Sequence, residues 1–170
     1  MELKKFTFAA MLAAISVVID VIVKQLIGTN TIGTAYYAIP IIIAAIFLGV
    51  KYSLVIAILA DAVSVLLAGQ TFLPLFMVGP IIWGLIPGLL LKKNSNLFKI
   101  IVVLLITHLL VTTANSIALA IHIHKSWQAL LVDLPLRAGL IIPNTLIIAF
   151  LTEAVREPMM LRISFLNSDV

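Results

Sequence analysis

The chain of 170 residues has no cysteine, which excludes disulfides and thiolate metal sites. Charge is scarce too, with only 11% of residues Asp, Glu, Lys or Arg. Several signatures of chemistry are missing. No G-x-x-x-x-G-K-[ST] run occurs, so nucleotide phosphates are not cradled by that route. Any uphill transport must draw its work from another subunit or from an ion gradient. No Gly-x-Ser-x-Gly or His-Glu-x-x-His occurs either, which counts against an intramembrane hydrolase built from His108, Asp61 and a serine. The two halves show no internal repeat, unlike the inverted-repeat carriers.

What fills the chain is apolar. Hydrophobic residues make up 63% of it, and the mean hydropathy is +1.25. A core of this size cannot hide that much apolar surface from water. The pattern predicts an all-α integral membrane protein, a single domain over residues 1–170. Its bundle of six transmembrane helices falls near 6–27, 35–48, 52–68, 73–91, 97–121 and 129–154. A crossing takes roughly 20 residues, so no separate catalytic domain fits. The second span is short and holds Pro40, so it is expected to be tilted, kinked or seated on other helices. The first has a basic start and a long apolar run, and it reads as a retained span rather than a signal peptide.

The net charge of +4 is spread over loop ends, which suits membrane topology and not a nucleic-acid partner. With the N-terminus inside, Lys4, Lys5, Lys51, Lys92, Lys93, Lys99, Arg156 and Arg162 fall on the cytoplasmic side. Lys24, Lys125 and Arg137 fall outside. This bias puts both termini in the cytoplasm and turns the polar loops outward.

The richest polar run is Thr29–Tyr37. Its Asn30, hydroxyls and phenols of Tyr36 and Tyr37 offer directed hydrogen bonds and flat apolar faces to a small solute. An outer loop with a tyrosine belt would read the same way. Gln70 and Phe72 lie in a second, uncharged loop, a lid or a plain hairpin. Trp127 is a stacking platform or an interface anchor. Asn115, Arg137 and Asn144 lie within the fifth and sixth spans, where polar groups face the bundle. Arg137 can clamp a carboxylate, or snorkel and pair with Asp133. Asp20 and Asp61 are the acidic residues well inside spans; Asp61 is either a proton or cation ligand or a structural carboxylate. His108 fits an interhelical hydrogen bond. His122 and His124 are spaced poorly for shared metal ligation, and no metal or cofactor is expected. Small residues at i, i+4 on the first helix (Ala9, Ala10, Ala13, Ala14) and at Gly84 and Gly88 on the fourth allow close helix approach, inside the bundle or to a partner.

Three stretches together resemble a family: Ile46-Phe47-Leu48-Gly49 through Asp61; Gln70-Thr71-Phe72 through Gly84-Leu85-Ile86-Pro87-Gly88; and Asn115-Ser116-Ile117-Ala118-Leu119 followed by Leu134-Pro135-Leu136-Arg137 and Pro143-Asn144. With six short helices and the alanine stripe, they look like the substrate-binding S components of energy-coupling factor (ECF) vitamin transporters, folate-type branch. The resemblance implies a vitamin-binding bundle in the cell membrane, partnered by a transmembrane coupling subunit and two cytoplasmic ATPases. Lys24, Asn30, Tyr36, Tyr37, Gln70, Phe72, Asn115, Trp127, Arg137 and Asn144 are then the candidate ligand contacts, and the alanines the candidate partner face. The chain departs from the branch where an arginine-bearing run precedes the second helix, since it reads Thr31-Ile32-Gly33-Thr34-Ala35-Tyr36-Tyr37. Leu140 stands where a lysine is common. Too little positive charge remains for a dicarboxylate such as folate, and pantothenate, pyridoxine or hydroxymethylpyrimidine fits better. Alternatives outside this class are an ion-coupled carrier and a ligand-free scaffold.

Overall fold

The computed structural model describes residues 2–27 and 34–162. Its α-helices are α1 (Glu2–Ile27), α2 (Ala38–Leu48), α3 (Val50–Leu67), α4 (Val78–Leu90), α5 (Leu97–Leu119) and α6 (Trp127–Arg162). A 3₁₀ turn, Pro74–Met77, leads into α4, and a π turn, Ala120–His124, ends α5. There is no strand among the described residues. In lipid a helix satisfies its own backbone polar groups, and these aliphatic runs have no other economical way to do so.

Where the sequence predicts six spans, four helical stretches are long and apolar enough to cross: Glu2–Gln25, Val50–Leu67, Leu97–Ile123 and Leu134–Leu161. Between 22% and 33% of each spanning window is buried in the bundle, so the remaining apolar surface is left for lipid. The expected second and fourth spans are the shorter apolar helices Ala38–Leu48 and Pro74–Leu90. The reason is plain for α2. Nine of its eleven residues are buried, and it touches α1, α3, α4 and α6. A helix walled by other helices has no hydrocarbon thickness to match. Pro40 sits in the first turn of α2, where no intrahelical donor is required, so it costs the helix no hydrogen bond.

The joints are tight. Gly49 alone links α2 to α3, and its φ of 85° needs a residue without a side chain. Asn96 caps α5 by accepting from the Lys99 backbone N–H at 2.9 Å. Gly84 and Gly88 resolve to internal packing. A Cβ at Gly84 would lie 2.9 Å from the Ser53 carbonyl oxygen, and one at Gly88 would lie 2.8 Å from the Val50 Cα. The closeness of α4 to the start of α3 depends on their absence. Helix α6 runs on past the end that the sequence suggests, because Arg156 is buried rather than a marker of the loop.

Candidate ligand-binding site

On α1, Asp20 and Lys24 are four residues apart and share a face; on α3, Asp61 and Ser64 are three apart and do the same. The two faces meet. Lys24 Nζ donates to Asp20 Oδ2 at 2.6 Å and to Ser64 Oγ at 2.9 Å, and Ser64 Oγ also donates to Asp20. Asp61 Oδ1 stands 3.6 Å from the same ammonium, an ion-pair distance beyond good hydrogen-bond length. Mutual pairing is what lets these charges persist in buried surroundings. The ammonium also occupies the position a coupling cation would take between the carboxylates.

Across from them, His108 Nδ1 lies 3.0 Å from Thr145 Oγ1 and the ring meets Trp83 edge-on at 5.5 Å. This is the interhelical hydrogen bonder that the sequence suggests. Asn115 projects from α5 towards α4, where Gly79 makes room for it; a Cβ there would lie 2.8 Å from Asn115 Oδ1. Arg137 on α6 is buried.

These groups line one cavity of about 450 Å³, within the roughly 300–1,000 Å³ of small-molecule sites. It lies at the end of the bundle where α1 and α3 finish and α4 and α6 begin. Val23, Val65, Phe76, Pro80, Val111 and Leu119 supply apolar wall. Asp20, Lys24, Thr34, Tyr37, Asp61, Gln70, His108, Thr112, Asn115 and Arg137 supply polar groups. Thr34 Oγ1 and Asn115 Oδ1 are buried with no hydrogen-bond partner among the described residues. Such atoms are rare in finished cores.

Of the ten candidate contacts, the cavity gathers Lys24, Tyr37, Gln70, Phe72, Asn115 and Arg137. Tyr36 and Asn144 are not on its wall; they pair with each other, the phenol donating to Asn144 Oδ1 at 3.5 Å. Trp127 is 61% exposed and stands apart from the cavity. Asn30 lies outside the described residues, as does the Asp133 side chain. Asp20, Asp61, Thr34 and His108 line the cavity without being among the ten. The cost of a carboxylate inside a span pointed to the two aspartates; Thr34 belongs to the polar run Thr29–Tyr37, whose hydroxyls stood out only as a group.

The alanine stripe divides. Ala9 is buried and Ala13 packs on the core, whereas Ala10 and Ala14 are exposed. The two i, i+4 pairs stand about 100° apart around the helix, so one faces inwards and the other outwards. They do not form a single smooth face.

A lipid-facing helical bundle around a cavity with polar and apolar walls defines an integral membrane protein built to bind a small solute. Residues 4–158 match the family model of the ECF transporter substrate-specific component, and the chain belongs to that family. No curated protein matches the chain. Membership makes it the binding component of a transporter and not an enzyme. It also implies ECF coupling and ATPase modules as partners, and a small-molecule substrate.

Proposed function

We propose that this chain captures a small B-type vitamin or precursor in the cavity between α1, α3, α4, α5 and α6 and delivers it to an ECF transporter. That transporter comprises a transmembrane coupling subunit and two cytoplasmic ATPases. All six α-helices lie in the cell membrane, with both termini cytoplasmic. The cavity then opens outward, away from the lysine-rich joints. The observation that carries the reading is the cavity itself. Its mixed wall and unpaired polar atoms suit a ligand with a few directed hydrogen bonds and much apolar contact. Pantothenate, pyridoxine and hydroxymethylpyrimidine are of suitable size, and folate is disfavoured by the scarcity of cations.

The test is binding of a panel of labelled B vitamins and precursors to the purified chain. One should bind saturably and be weakened by Asn115→Ala; a panel without a single binder would sink the reading. Cysteines introduced at Asn30 and Ser126 should label from outside intact cells, and one at Ser95 should not. On the partner side, bulk on the outward alanines should block approach of another helix. Ala10→Trp or Ala14→Trp should therefore abolish transport while leaving vitamin binding close to wild type. A parallel loss of binding would return these alanines to internal packing.

A further inference from the structure

We propose that Asp61 is the specificity-determining acceptor of the cavity and that its ligand is an amino-substituted nitrogen heterocycle. The proposal rests on the cavity being the ligand site. The wall made by α1 and α3 carries two carboxylates, Asp20 and Asp61, against one ammonium, Lys24. The pairing is unequal. Asp20 takes the short contact from Lys24 and another from the Ser64 hydroxyl, whereas among the described residues Asp61 has the same ammonium at the longer distance of 3.6 Å. The Asp61 side chain is nonetheless 11% exposed, and it lines the cavity. A carboxylate has about four acceptor positions, and Asp61 therefore keeps capacity on the side that a ligand would meet.

The chemistry of that capacity is narrow. A carboxylate accepts and does not donate, and two adjacent N–H groups match its two oxygens side by side. An amino group next to a ring nitrogen that carries a proton presents that edge. An anionic group would instead meet a wall with one carboxylate in excess of its ammonium, and like charges at short range repel in a poorly hydrated site. A metal cation is opposed by the Lys24 ammonium standing between the carboxylates. Elsewhere on the wall, Asn115 Oδ1 and Thr34 Oγ1 are buried without a hydrogen-bond partner among the described residues. Both can accept, so a ligand rich in N–H donors serves them too.

The experiment is calorimetric titration of the full chain in nanodiscs with three probes. They are 4-amino-5-hydroxymethyl-2-methylpyrimidine, its 4-oxo counterpart, which turns a carbonyl acceptor where the amine stood, and pantothenate. In the unaltered chain the amino compound should bind at least about tenfold more tightly than the oxo compound, the size of one charge-assisted hydrogen bond. Asp61→Asn should remove that preference, and Asp61→Glu should keep part of it. The comparison of probes in the unaltered chain needs no variant to fold. Equal binding of the two pyrimidines, or an Asp61→Asn loss shared equally by both, overturns the proposal. Tighter binding of pantothenate that Arg137→Ala weakens also overturns it, while leaving the cavity as the ligand site. Failure of all three probes to bind overturns the proposal, while the cavity reading then stands or falls on the full vitamin panel.

Discussion

Arg156 and Lys24 are both largely enclosed cations near opposite ends of the bundle, and their surroundings differ. Arg156 Nε and Nη2 bond Glu153 at 2.8 and 2.6 Å, and Nη1 donates to the Lys93 and Ser95 carbonyls at 2.6 and 2.7 Å. The planar fork fits a carboxylate on one side and a turn of backbone on the other. Its hydrogen-bond partners among the described residues lie on α6 or on the joint between α4 and α5, so these bonds fasten one end of the bundle. Lys24 has three donors and a less demanding geometry. It serves Asp20 and Ser64 closely and leaves Asp61 at 3.6 Å beside the cavity. A saturated set of partners suits fastening, and an unsaturated set beside a cavity suits binding.

Removing the fastening should have the largest effect. Arg156→Ala would leave two carbonyls and the Glu153 carboxylate without their cation, a loss of about 3 kcal/mol for a largely buried charged network. Thermal unfolding in detergent should drop markedly, while the protein that remains folded binds vitamin normally. A large change in affinity with unchanged unfolding would erase the distinction between the two ends.

Next is Gly88→Leu, at the same end. Its Cβ alone would fall 2.8 Å from the Val50 Cα and 2.9 Å from Ser53 Oγ, and Ser53 Oγ bonds the Gly84 carbonyl at 2.8 Å. Overpacking of this kind costs about 1–3 kcal/mol, again seen in unfolding. Stability equal to wild type would show that α3 and α4 part easily, and the fastened end would then be no more rigid than the cavity end.

The contrast also marks what could be read in advance. Helicity, the membrane setting and the approximate limits of α1, α3 and α5 follow from runs of apolar residues, because a helix in lipid must be apolar over its crossing length. The enclosure of α2 was less legible. Periodicity carries no signal when a helix is apolar all round, and Ile41, Ile42 and Ile43 are all buried. The far end of α6 was hidden because Arg156 looks like a loop charge until Lys93 and Ser95, some sixty positions earlier, are known to meet it. At the cavity, Tyr37, Gln70, Asn115 and Arg137 were visible as polar residues in apolar surroundings. Tyr36 was equally visible, yet it pairs with Asn144. Residue type shows that a polar group needs a partner. Which partner it finds depends on how the helices are rotated.

The smallest change is expected from Arg137→Ala, and it bears most directly on what the cavity holds. Arg137 lines the cavity from α6, whereas the carboxylates of Asp20 and Asp61 line it from α1 and α3. A ligand that places N–H groups on Asp61 and carries no negative charge has little for a guanidinium to attract. Its affinity should then fall by less than about threefold, under one ordinary hydrogen bond. Tyr37→Ala, which removes an aromatic wall, should cost that ligand more, about tenfold. An anionic vitamin would reverse the order, because loss of a charge-assisted pair costs about 1.5–3 kcal/mol, or roughly ten- to hundredfold. Titrating both variants with the same vitamin therefore ranks the two walls. If Arg137→Ala is the more damaging, the ligand is held by the cation of α6, and the uneven pairing around Lys24 is structural, like that around Arg156. If Tyr37→Ala is, the ligand leans on the other wall, where Asp61 has acceptor capacity to offer.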